Sequence, residues 1–130
     1  MIGLDTTALI DLWKNKKEII DLLRKLDDRY VTTMINYSEI MLGVNRNNPK
    51  NQKELDFFDK FFSNVRVLIL DLGSGKRAVE IYWKLAKKGQ LIDENDSLNA
   101  GILLSNHINK IITRNVKHFE NIEGLKVISY

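Results

Sequence analysis

Apolar and polar positions along the chain follow two rhythms. Five short apolar, β-branched runs read as strands: Ile2–Leu4, Tyr30–Thr33, Val65–Leu70, Lys110–Thr113 and Lys126–Ile128. Between them, residues 7–14, 16–26, 37–46, 52–62, 76–88 and 95–105 carry apolar positions at helical spacing. In the fifth helix Ala78, Tyr82, Leu85 and Ala86 share one face, while Arg77, Glu80, Lys84 and Lys87 fall elsewhere. The only proline, Pro49, marks a turn between two helices. No repeat, low-complexity tract or linker interrupts the pattern, so one domain over residues 1–130 is expected. Strands alternating with helices predict a three-layer α/β/α domain around a mainly parallel sheet of four or five strands.

In such a sheet the carboxyl ends of the strands share one edge, and ligands bind there. Asp5 follows the first strand directly. Glu39 falls in the helix after the second strand, Asp96 in the first turn of "NDSLNAGILL", and Asn115 just past the fourth strand. If the sheet closes as predicted, these four converge. Each also has a purely structural reading. Asp5 could cap the first helix, Glu39 could be an exposed helical acid, Asp93 and Asp96 have capping-box spacing, and Asn115 could sit in a turn.

Composition narrows the chemistry. A hydrophobic fraction of 44% and a charged fraction of 28% describe a water-soluble globular chain. The absence of cysteine excludes disulfides and thiolate metal sites. With no basic leader and no apolar run long enough to span a membrane, a cytoplasmic protein is expected. The net charge of +3 is spread over several cationic clusters, including Lys14, Lys16 and Lys17 as well as Arg114, Lys117 and His118. Such clusters suit a polyanionic partner. Three carboxylates gathered in one shielded site repel, and a divalent cation relieves the repulsion. With oxygen ligands only, Mg²⁺, with Mn²⁺ as a substitute, fits better than zinc. Metal-assisted attack of water on a phosphodiester is the chemistry such a set supports.

Other stretches carry less. "DLGSGKRA" has Leu70 and Arg77 where a phosphate-binding loop needs Gly and Ser or Thr, so Gly73 and Gly75 read as a flexible helix entry. His107 and His118 read as loop or packing residues. Trp13 and Trp83 read as core or dimer contacts.

"MIGLDTTALID", "SEIMLG", "IDENDSLNAGILL" and "IITRNVKHFENIEGLKVI" together resemble, in order and spacing, the PIN domain, and more closely the VapC-type ribonuclease toxins of type II toxin–antitoxin pairs. The resemblance spans essentially the whole chain. It implies an acidic Mg²⁺ pocket and endonuclease action on RNA, by water attack that leaves 5′-phosphate and 3′-hydroxyl ends. It also implies a homodimer and a small antitoxin through which DNA is bound indirectly. By motif, Asp5, Glu39 and Asp96 match the family's three acids, Thr6 a supporting hydroxyl, and Asn115 the fourth polar position, where many members carry Asp. Asp93 or Glu120 could supplement that neutral amide. Arg114, Lys117 and Arg46 are candidates to hold the RNA backbone. Asn36 stands where threonine is frequent, and Asn99-Ala100-Gly101 where Ile-Ala-Ala is frequent. Three rivals accompany this reading: an inactive PIN-like module that binds RNA or antitoxin, a housekeeping RNA-processing nuclease, and a carboxylate-dependent phosphatase. One common phosphatase type needs a second aspartate where Thr7 stands.

Overall fold

The computed structural model describes residues 1–130. Five parallel strands, β1 (Ile2–Leu4), β2 (Tyr30–Thr33), β3 (Arg66–Leu68), β4 (Lys110–Ile112) and β5 (Lys126–Ile128), form one sheet in the order β3-β2-β1-β4-β5. Seven helices cover its faces: α1 (Thr6–Trp13), α2 (Lys17–Leu26), α3 (Met34–Leu42), α4 (Gln52–Asn64), α5 (Leu72–Lys87), α6 (Glu94–Ser105) and α7 (Val116–Phe119).

The inner strands β1 and β4 read as near-continuous apolar runs because both of their faces are buried. In β1, Ile2 and Leu4 join Leu9, Ile19, Ile40 and Phe58 in one core. Gly3 points the other way, where an added Cβ would lie 2.8 Å from Leu103 of α6. In β4, Ile111 joins the second core, with Leu85, Leu103 and Phe119, while Ile112 joins the first. The sheet therefore separates two apolar layers. One lies under α1, α2 and α4, the other under α5 and α6.

Strand order reverses at β1. The chain runs outward from β1 to β2 and β3, then returns to lay β4 on β1's other side. The crevice above the carboxyl ends of β1 and β4 is thus the topological switch point.

Several boundaries differ from the sequence pattern, among them the end of α3 at Leu42 rather than at residue 46, and four differences have a local reason. The run Val65–Leu70 pairs only over Arg66–Leu68, because its partner β2 ends at Thr33, opposite Leu68. Ile69 and Leu70 are left exposed. Helix α3 starts three residues earlier than expected, since the Thr33 hydroxyl caps it by accepting from the Asn36 N–H. Helix α5 starts at Leu72, so Gly73 and Gly75 lie inside it. A reciprocal cap between Asp71 and Ser74 overrides the glycines. The one-turn helix α7 was too short to register as a pattern. No helix is long and apolar enough to cross a membrane.

Candidate active site

The site is assembled from residues that follow β1, β2 and β4, together with the first turn of α6. The Asp5 N–H donates to the Ile112 carbonyl, so the first residue past β1 is tied to the end of β4. Its carboxylate caps α1. Oδ1 accepts from the Ala8 N–H (3.1 Å) and the Thr7 hydroxyl (2.7 Å), and Oδ2 accepts from the Thr113 hydroxyl (2.5 Å). The capping reading of Asp5 thus holds, in a side chain that also stands at the carboxyl edge of the sheet. Only 4% of Asp5 is exposed, and burial raises its pKa, with the hydrogen bonds from Thr113, Thr7 and Ala8 acting in the opposite direction.

Glu39 projects from α3 at the solvent-facing rim. Its pKa is raised, first by partial desolvation and then by the negative charges of Asp96, Asp5 and Asp93. The Thr6 hydroxyl lies close enough to oppose that shift. Asp96, in the first turn of α6, is also raised by desolvation and by Asp93 and Asp5. Its principal counterweight is His118, whose Nδ1 lies 2.8 Å from Asp96 Oδ2. The fold therefore brings Asp5, Glu39 and Asp96, with Asp93 beside them, within electrostatic reach of one another. No three acidic or histidine side chains form a direct ligand cage.

The remaining sequence candidates divide. Asp93 is the N-cap of α6, accepting from the Asn95 N–H at 3.3 Å. Asp96 makes no reciprocal box with it, because His118 engages Asp96 instead. Asn115 opens α7 with an exposed side chain that caps nothing, and its N–H donates to Thr113 Oγ1. Glu120 is exposed at the end of α7 and is not among the charges that shift the trio. Lys117 is exposed on the same turn.

Two of the three proposed RNA-gripping cations are already engaged. Arg114 Nε lies 2.7 Å from Asp11 Oδ2, a carboxylate 2% exposed that also accepts from the Tyr130 hydroxyl at 2.7 Å. Arg46 pairs with Asp59 at 3.3 Å. Arg114 is thus first a structural counter-charge. Of the two tryptophans, Trp13 packs on Phe57 and Phe58 as a core residue, whereas Trp83 is 65% exposed on α5.

Sequence reasoning missed His118 as a partner of Asp96, and missed Thr113 and Thr7 as the clamp on Asp5. Thr113 carried a usable signal, being a hydroxyl at the carboxyl end of a strand that must lie beside β1. His107, read as a loop residue, does occupy a turn, with φ of 60° after α6.

With this geometry in hand, the chain can be set beside known proteins. The profile of the family described as PIN domain matches residues 2–125. The tRNA(fMet)-specific endonuclease VapC of Salmonella typhimurium (strain LT2) is 28% identical over 125 residues, which cover 95% of this chain and 93% of that protein. Among solved structures, DNA-bound VapBC from Salmonella typhimurium has a TM-score of 0.83 at 25% identity, covering 98% of this chain and 96% of that one. VapBC-1 from nontypeable Haemophilus influenzae has a TM-score of 0.81 at 28% identity, covering 99% and 98%. The parallel sheet, its flanking helices and the family resemblance all agree with the reading of the sequence.

Proposed function

The chain belongs to the PIN domain family, and on that premise we propose that it is a metal-dependent endoribonuclease and the toxin of a toxin–antitoxin pair. The observation that carries the reading is electrostatic. Three carboxylates from α3, α6 and the β1–α1 junction lie within electrostatic reach of one another, and desolvation, reinforced by neighbouring negative charge, raises the proton affinity of Glu39 and Asp96. His118 is the one imidazole or cation that opposes this at Asp96.

The donor set fits a hard divalent cation. All the donors are oxygens, and Asp96 engages one oxygen with His118 while the other remains open. Mg²⁺ keeps several waters and needs only one or two direct carboxylates, so separated acids without a tight cage suit it. When bound, such an ion lowers the pKa of water and offsets charge on a phosphate.

The chain's own residues supply the rest. Thr7, Ala8 and Thr113 hold Asp5 in one orientation. His118 favours the ionised form of Asp96. Lys117, exposed on the same turn as His118, is the cation that would meet an RNA phosphate. Asn115, exposed at the start of that turn, would orient water or substrate rather than hold a second ion.

The partner reading rests on the relatives, which were solved as VapBC assemblies, one of them bound to DNA. It implies an antitoxin, a homodimer, and DNA contact only through the antitoxin. Apolar surface is available for such partners along α5, at Leu72, Val79 and Trp83.

Purified protein incubated with total RNA, with initiator tRNA as the first defined substrate, tests the proposal. The expected result is Mg²⁺-dependent cutting that leaves 5′-phosphate and 3′-hydroxyl ends. The neutral Asn115 favours a second reading, a binding module without activity. RNA binding without Mg²⁺-dependent cutting would establish that alternative.

A further inference from the structure

Beneath the acids lies a buried, uncharged network. Asn36 of α3 and Asn99 of α6 are each 2% exposed, and Thr32 and Thr33 are fully buried. The Asn36 amide uses its whole hydrogen-bonding capacity of two donors and two acceptor sites. Nδ2 donates to the Leu4 carbonyl (2.9 Å) and to Thr32 Oγ1 (3.1 Å). Oδ1 accepts from Thr6 Oγ1 (3.1 Å) and from Asn99 Nδ2 (3.0 Å). The Leu4 carbonyl can only accept, and this fixes which way the amide faces. Asn99 in turn accepts from the Thr33 hydroxyl, the cap of α3.

Three of these four bonds lead toward an acid, and the fourth ties the amide to Thr32 on β2. Leu4 and Thr6 flank Asp5 in the chain. Asn36 is three residues before Glu39 on α3, and Asn99 is three residues after Asp96 on α6, so each shares a helix face with its acid. A single side chain therefore joins all three elements that carry the carboxylates.

We propose that Asn36, with Asn99 as its partner on α6, is a positioning residue that sets the separation of Asp5, Glu39 and Asp96. The inference rests on the nuclease reading for its consequence, and on geometry alone for its content. The clasp is neutral, so it holds the acid-bearing elements together without adding charge to the site. A fully satisfied buried network also fixes one geometry, whereas an apolar contact of the same size tolerates sliding.

The test replaces the clasp with side chains of similar size, in Asn36→Leu, Asn99→Leu and the double variant. Tyr30→Phe is the control. It loses a hydrogen bond to the Leu23 carbonyl at the opposite end of β2. Mn²⁺ affinity, kcat and KM for RNA are measured alongside thermal stability and crystal structures. Loss of a supporting partner behind a ligand typically costs 10–100-fold in metal affinity or activity. Each single variant should lose about that much in Mn²⁺ affinity and kcat, with KM for RNA unchanged. Tyr30→Phe should keep both at any similar loss of stability. Because the two amides act as one unit, the double variant should lose no more than the worse single one. In the crystals, the Glu39 and Asp96 carboxylates should stand displaced from their wild-type separation. Superposable carboxylates, or wild-type kcat in both single variants, would overturn the proposal. Displaced carboxylates in a protein whose wild type cuts no RNA would uphold the clasp and remove the nuclease reading.

Discussion

Gly101 on α6 is where packing and helix propensity make opposite demands, so Gly101→Ala has a sign worth measuring. In an open helix the change stabilises by about 0.8–1 kcal/mol. Here the new methyl would lie 2.7 Å from the Ala78 methyl, 2.7 Å from the Ala78 nitrogen and 2.7 Å from the Ser74 carbonyl oxygen of α5. Comfortable carbon contacts begin near about 3.5 Å. Two of the three obstacles are backbone atoms, so no rotamer change relieves them and one helix must move. Overpacking of this kind costs about 1–3 kcal/mol, and rigid backbone neighbours place this site near the upper end. Subtracting the propensity gain leaves a net loss of about 2 kcal/mol. At about 2.1 cal/mol/K of unfolding entropy per residue, a chain of this length loses about 4 °C of Tm per kcal/mol, so the expected drop is about 7–8 °C. Circular dichroism melts, paired with urea titrations of unchanged slope, measure it. A Tm equal to or above wild type would refute the close contact of α5 with α6.

The charges and caps carry four further expectations. Arg114→Ala leaves the buried Asp11 carboxylate with only Tyr130 as partner. Breaking a fully buried pair costs about 3–5 kcal/mol, and because Arg114 is half exposed a loss of about 1–3 kcal/mol is expected. Lys117→Ala should change stability by less than about 0.5 kcal/mol while weakening RNA binding; equal stabilities for the two variants would remove the structural role of Arg114. Asp71→Ala deletes the half of the cap in which the Asp71 carboxylate accepts from the Ser74 N–H, leaves the bond from its own N–H to Ser74 Oγ, and should cost about 1 kcal/mol in urea titrations. Glu39→Gln has a pH signature in metal-free buffer. Folded Glu39 holds its proton to a higher pH than the unfolded chain does, so its ionisation destabilises the fold as pH rises from the ordinary glutamate range through the raised value. The variant should therefore gain a few tenths of a kcal/mol at neutral pH, discounted for its exposure, and nothing below about pH 4. A gain that persists at low pH would point to packing rather than charge.

The order of elements was legible because each strand is a dense apolar run and each long helix carries an apolar stripe. What escaped notice was set by partners distant in sequence or by caps. Asp11 looks like an ordinary helical acid until Tyr130, 119 positions later, is seen to donate to it. Arg114 looked like a free cation for the same reason. Asn36 and Asn99 stood out only as departures from a pattern. Their meaning lies in a hydrogen bond across 63 positions that no local periodicity carries. The glycines at the head of α5 pointed to a flexible entry, but one aspartate and one serine at cap spacing outweighed them. The place of Asp5 and of the helix that carries Glu39 could be read from the sequence because a parallel sheet puts every strand's carboxyl end on one edge, whereas Asp96 stands on a helix that follows α5 rather than a strand.

The central claim is that Asp5, Glu39 and Asp96 together hold a divalent cation. A Mn²⁺ titration followed by electron paramagnetic resonance tests it on the wild type and on Asp5→Asn, Glu39→Gln and Asp96→Asn. The account predicts saturable binding by the wild type and weakening of about tenfold or more in each variant that remains folded. Binding of equal strength in all four proteins, or none in the wild type, would contradict it.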